Sequence, residues 1–151
     1  MQFSEFLHPD HILPELSART KTEVLAELVK PVIAYFPSIS LDAVVQILLE
    51  RERLGSTAIG DGIAIPHGKV EGLDRMVVVV GRSTHGVDFD SVDHKPVHII
   101  ALVLAPMSGA GMHLKVLASL ARLLRDAGFR QSFLSAPPSQ LFALMTSFPL
   151  A

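Results

Sequence analysis

Residues 55–69 read Gly55-Ser56-Thr57-Ala58-Ile59-Gly60-Asp61-Gly62-Ile63-Ala64-Ile65-Pro66-His67-Gly68-Lys69, and they deliver a single imidazole to the end of an apolar segment. Ile63, Ala64 and Ile65 are expected to form a short buried strand. Pro66 donates no ladder hydrogen bond, so strand pairing is expected to stop just before His67. Pro66 also fixes its own φ, and Gly68 lacks a Cβ that would hold a large partner away from the backbone. The pattern favours a visiting macromolecule. Gly60 and Gly62 do not make a dinucleotide fingerprint, because the third glycine and the following helix are missing, and a tight turn with positive φ accounts for them.

Upstream, Thr20 and Glu23 read as a capping box, followed by Val24, Leu25, Leu28, Val29, Val32 and Ile33 at helical spacing. A helix over 21–36 is expected, kinked or ended early at Pro31. Ser40 caps a second helix with a stripe of Leu41, Val44, Val45, Leu48 and Leu49, and Gly55 is its stop. Downstream, Met76 to Gly81 and Val97 to Leu104 are short, β-branched and apolar throughout, as strands covered on both faces are. The polar loop between them carries Val87 and Phe89 as anchors. Gly109 and Gly111 loosen the chain before a third helix over 112–126, with Leu114, Leu117, Ala118, Ala121 and Leu124 expected inward. Pro137 and Pro138 open a last helix through Leu141, Phe142, Leu144 and Met145. The result is an α/β fold of three layers, α/β/α, with a small mixed sheet covered by helices on both sides.

The chain has 151 residues, of which 49% are hydrophobic, enough for the core of a single domain spanning 1–151. A net charge of −2 gives no basic field for nucleic acid. The apolar runs fall well short of the roughly 20 residues of a membrane helix, and no signal segment precedes them, so a cytoplasmic protein without membrane insertion is expected. The absence of cysteine suits a reducing compartment and removes thiolate nucleophiles and disulfides.

Seven histidines compete for a role. Position alone does not separate His67 from a solvated turn histidine. His113 falls in the first turn of the third helix, where free N–H groups and the helix dipole favour an anion such as a phosphoryl group. By itself it reads as a hydrogen-bonded boundary histidine; paired with His67 it becomes a donor to phosphoryl oxygens. His94 and His98 have the spacing of two zinc ligands, but Pro96 keeps them off one helical face and no cysteine completes a set, so no metal is expected. Asp90 and Asp93 read as turn aspartates, and His8, His11 and His85 receive no role. Arg51 and Arg53 close the second helix, where the dipole alone favours a cation, yet one of them can reach the segment entered at Gly55 and bind phosphate or an acidic partner. Lys69 offers the same alternative.

The run from Arg51-Glu52-Arg53-Leu54-Gly55 through Ile65-Pro66-His67-Gly68-Lys69 resembles the signature of enzyme IIA proteins of the bacterial phosphotransferase system, most closely the nitrogen-regulatory type and less closely the fructose and mannitol types. The resemblance extends through Val87-Asp88-Phe89-Asp90, Lys95-Pro96-Val97 and the segment from Pro106 to Leu114. It implies the three-layer fold with a mixed sheet, a phosphoryl-accepting histidine at His67, modified on Nε2, a second active-site histidine at His113 and an arginine near the site at Arg51. It further implies a phosphohistidine intermediate, no cofactor, and a nitrogen-branch histidine phosphocarrier protein as donor, with phosphorylation controlling which regulatory partners bind. Ala58 stands where glycine is common, and Ala136-Pro137-Pro138 stands where acidic residues are frequent. These 151 residues carry no fused IIB or transporter segment, as expected of a free-standing regulator. The alternatives are a sugar-specific IIA that hands phosphate to a IIB cysteine, a binding module that has lost phosphorylation, and a metal hydrolase using His94 and His98.

Overall fold

The computed structural model describes residues 2–108 and 110–148, and these form five helices around a six-stranded mixed sheet. Strand β1 is Ile12–Leu13, β2 Ala58–Gly60, β3 Ile63–Ala64, β4 His67–Lys69, β5 Val77–Val87 and β6 Val97–Ala105. The helices are α1 Lys21–Tyr35, α2 Leu41–Arg53, α3 Ala110–Arg125, α4 Ala127–Ser135 and α5 Leu141–Thr146. The strand order is β1-β5-β6-β3-β2, and β4 also pairs with β6. The central β5–β6 pair is antiparallel, whereas β1 runs parallel to β5 and both β3 and β4 run parallel to β6.

Because successive strand residues point to opposite faces, the continuous apolar runs of β5 and β6 feed two cores. Val77, Val79, Ile100, Leu102 and Leu104 pack with Val24, Leu28 and Val32 of α1 and Val44 and Leu48 of α2. Val78, Val80, Ile99, Ala101 and Val103 pack with Val116, Leu120 and Leu124 of α3, Phe129 and Phe133 of α4, and Leu141 and Met145 of α5. This is the expected α/β/α layering. A guanidinium ties its edge together: buried Arg82 of β5 donates from Nε to the Pro14 carbonyl at 3.0 Å and from Nη1 to the carbonyls of Phe133 at 3.0 Å and Ala136 at 2.7 Å.

The local signals act largely as read. Thr20 Oγ1 accepts from the Glu23 N–H, although the second half of the capping box is replaced by a 2.7 Å bond from that hydroxyl to Glu23 Oε1. Ser40 caps α2 by accepting from the Ala43 N–H. Gly60, Asp61 and Gly62 all have positive φ, at 100°, 57° and 74°, which turns β2 back onto β3.

Several expectations are corrected. Helix α1 does not end early at Pro31 but continues to Tyr35, because burial of Val29 and Val32 on either side of the proline outweighs one lost backbone bond. Helix α3 turns Leu114 and Ala118 outward, and its buried stripe is Val116, Leu120 and Leu124. Asp126 does not end that helix; it caps α4 by accepting from the Phe129 N–H at 2.8 Å. Pro138 begins a 3-10 turn over Pro138–Gln140 before α5 starts at Leu141. Strand β5 continues through His85 to Val87, into the segment read as a polar loop. Gly109 lies outside the described residues.

Candidate active site

Strand pairing does not end before His67. The Pro66 carbonyl accepts from the Val103 N–H at 2.9 Å, and His67, Gly68 and Lys69 then pair in register with Val103, Leu104 and Ala105. Pro66 therefore interrupts one long strand, and His67 opens its second half. Alternation along that strand sends Gly68 toward α2 and His67 toward α3. A Cβ on Gly68 would stand 2.9 Å from Ile47 Cγ2, so the glycine makes room for α2 and not for a visiting partner.

His67 is half-buried, and its Nδ1 lies 2.8 Å from the Ile65 carbonyl. A carbonyl only accepts, so Nδ1 carries the ring proton and the lone pair is left on Nε2. The His113 ring stands 5.5 Å from that of His67, centroid to centroid, and its Nε2 is buried with no hydrogen-bond partner among the described residues. The two histidines lie far apart in sequence; the sheet and the first turn of α3 bring them together.

Beside His67 an open cleft of about 210 Å³ is lined by Ile59, Ile65, Leu117 and Ala121, with Arg51, Arg125, Ser56 and Thr57 at its polar margins. Arg51 thus reaches the site, while Nη1 of the same guanidinium donates to the Gly55 carbonyl at 3.0 Å across the end of α2. Arg53 pairs with Glu50 instead. Burial lowers the pKa of His67, the Arg51 charge acts in the same direction, and the Ile65 carbonyl and Glu52 oppose it. Burial also lowers the pKa of His113, aided by His67 and Lys69. Both imidazoles are held neutral under ordinary conditions, and one presents an unprotonated nitrogen to a cleft flanked by cations. That arrangement is suited to nucleophilic attack on an anionic, electron-poor centre.

The remaining candidates lie elsewhere. His98 Nδ1 donates to the Ser83 carbonyl at 2.8 Å, and exposed His94 borders a separate polar cleft with Arg19, His85 and Lys95. Among the described residues no three metal-ligating side chains converge. A roomier apolar cleft of about 440 Å³ between Phe3, Leu123, Phe129 and Phe148 contains neither histidine. The sequence reading passed over Arg125, which arrives from the far end of α3, and over Glu52, which is buried beneath the cleft. Glu52 had a signal: it follows Val44 and Leu48 at four-residue steps on the apolar stripe of α2.

The fold is that of a IIA component. The crystal structure of the nitrogen regulatory protein IIA-Ntr from Neisseria meningitidis matches it with a TM-score of 0.89 at 32% identity, over 95% of this chain and 99% of that one. A nitrogen regulatory protein of Bradyrhizobium diazoefficiens is 36% identical over 151 residues, covering 100% of this chain and 98% of its own length. A fructose-specific EIIA component of a phosphotransferase system in Haloferax volcanii is 38% identical over 99 residues, 66% of this chain and 64% of that protein. Residues 5–147 match the family model of the phosphoenolpyruvate-dependent sugar phosphotransferase system, EIIA 2, and the chain belongs to that family. It is accordingly a IIA-type phosphotransferase component. No helix among the described residues is long and apolar enough to cross a membrane.

Proposed function

We propose that this protein is a IIA of the nitrogen-regulatory branch, a single phosphoryl-transfer domain over 1–151 that takes a phosphoryl group on His67 from a histidine phosphocarrier protein and regulates other proteins according to its phosphorylation state in the cytoplasm. The observation that carries this reading is the 2.8 Å bond from His67 Nδ1 to the Ile65 carbonyl, which leaves Nε2 as the nucleophile. Likeness over the whole chain to a nitrogen regulatory protein favours that branch.

In the transfer step the Nε2 lone pair forms a new P–N bond in line with the breaking P–N bond of the donor, and that electron pair returns to the donor imidazole. One imidazole replaces another, so no general base is required. The barrier is lowered by positioning and by stabilising charge on the phosphoryl oxygens. His113, the first turn of α3 and Arg51 are assigned to that task. Phosphorylation adds about 1.5 to 2 negative charges and so changes which surfaces dock around His67.

The test is incubation with the purified donor relay followed by intact-mass measurement. One phosphoryl group, labile in acid and persistent in base, is the expected result; an unmodified protein would leave a binding module. The second reading, a sugar-specific IIA, draws on the fructose-specific relative and requires onward transfer to a IIB cysteine.

A further inference from the structure

Glu52 occupies the last turn of α2 with its side chain only 4% exposed, where an unsatisfied carboxylate is costly. Its oxygens are taken up by one residue and one cation. Oε1 accepts from the Thr57 N–H at 3.1 Å, Oε2 accepts from Thr57 Oγ1 at 2.6 Å, and Lys21 Nζ lies 3.2 Å from Oε1. The same ammonium reaches Asp90 Oδ2 at 3.2 Å and sits 5.0 Å from the centroid of the Phe89 ring. Thr57, gripped at both its N–H and its hydroxyl, presents its carbonyl to the Ile65 N–H at 3.1 Å. The Ile65 carbonyl in turn accepts from His67 Nδ1 at 2.8 Å. Three successive hydrogen bonds therefore run from a buried carboxylate to the imidazole.

We propose that Glu52, with Lys21 as its counter-ion, is a positioning residue that fixes the tautomer and orientation of His67 through Thr57 and Ile65. The proposal rests on the reading of His67 as the phosphoryl acceptor. Glu52 touches no reacting atom. It immobilises Thr57, which holds the Ile65 peptide, which holds the proton on Nδ1 and keeps Nε2 bare. A buried ion pair is on average no more stabilising than an apolar replacement of the same shape, so the placement of this one at the root of the chain leading to His67 needs a reason beyond stability.

The experiment uses the full chain in four forms: wild type, Glu52→Ala, Glu52→Gln and Thr57→Val. Imidazole ¹⁵N shifts report the His67 tautomer, single-turnover transfer from the donor relay reports rate, and circular dichroism reports folding. Glu52→Ala and Thr57→Val should give a mixture of His67 tautomers and slow transfer by about 10- to 100-fold, the scale of a small misplacement of a reacting group. Glu52→Gln can still accept from the Thr57 N–H and donate to its hydroxyl, so it should keep the tautomer and most of the rate. Wild-type tautomer and rate in folded Glu52→Ala would overturn the proposal, as would equal losses in Glu52→Ala and Glu52→Gln. Should Glu52→Ala fail to fold, Thr57→Val decides by the same criteria. A wild type that gains no phosphoryl group sinks the acceptor reading instead, and the ¹⁵N shifts still judge the link from Glu52.

Discussion

His67 and His113 face each other with ring centroids 5.5 Å apart, and His8 and His11 do so at 5.9 Å, yet the two pairs have opposite surroundings. At His67 the proton is fixed on Nδ1 by a carbonyl, and Nε2 opens onto a cleft bordered by Arg51 and Arg125. At His8, Nδ1 is an acceptor, taking the Asp10 N–H at 3.0 Å, so the neutral ring carries its proton on Nε2. Tyr35 completes that second cluster, with its ring 5.1 and 5.0 Å from those of His8 and His11 and its hydroxyl donating to Asp10 Oδ2 at 2.6 Å. The carboxylate of Asp10 would repel a phosphoryl group. Separation alone does not distinguish the two pairs; which nitrogen keeps its lone pair, and the sign of the charge around it, do.

The contrast breaks most directly if His67→Ala still gains a phosphoryl group from the donor relay, since His8 or His11 would then be competent. Complete loss of the mass increase, with an unchanged circular dichroism spectrum, is the expected outcome. Next in size, His113→Ala should slow transfer by roughly 3 to 4 kcal/mol in the barrier, the usual loss for one donor to developing charge. Stopped-flow rates like those of the wild type would make His113 a structural neighbour, as His11 is to His8. Arg51→Lys should slow transfer about tenfold through loss of the planar fork, with little change in melting temperature. Unchanged kinetics would leave Arg51 as a tie across the end of α2 and pass the question to Arg125.

The pH response sharpens the comparison further. Burial lowers the pKa of His67, His113 and His11 below the unfolded value of about 6.5. The fold therefore favours their neutral forms, and the stability this contributes is full above about pH 6.5 and is lost as pH falls through the lowered values. Transfer should stay level above about pH 6.5 and decline only below it. A transfer midpoint above that value would contradict a depressed His67. The smallest effect is reserved for the other cluster: Tyr35→Phe should lower the melting temperature slightly and leave the transfer rate untouched.

Much of this was legible in the sequence, for physical reasons that differ by element. Helices α1 and α2 announce themselves through Thr20 and Ser40 and through apolar positions at helical spacing, and β5 and β6 through runs that only burial on both faces explains. Strands of two or three residues such as β1, β2 and β4 have no periodicity to read. Helix α4 hid behind Asp126, whose capping role is invisible when the preceding helix is taken to end on it. At the site, His67 stood out between Pro66 and Gly68, but Gly68 was misread because its missing Cβ answers to Ile47, 21 positions earlier in the chain and adjacent only after folding. Glu52 was overlooked among neighbouring charges, although its four-residue step from Leu48 puts it on the inward stripe of α2 while Arg53 faces out.

The guanidinium of Arg82 has a consequence for how the molecule opens. It binds the Pro14 carbonyl just after β1 and the Phe133 and Ala136 carbonyls at the end of α4, while its own carbonyl accepts from the Leu16 N–H at 2.8 Å. Releasing either segment alone would strand donors in a dry interior at about 1 to 3 kcal/mol for each unsatisfied group. The N-terminal edge and the α4 end should therefore detach together, exchanging their amide protons as one cooperative unit although Pro14 and Phe133 lie far apart in the chain.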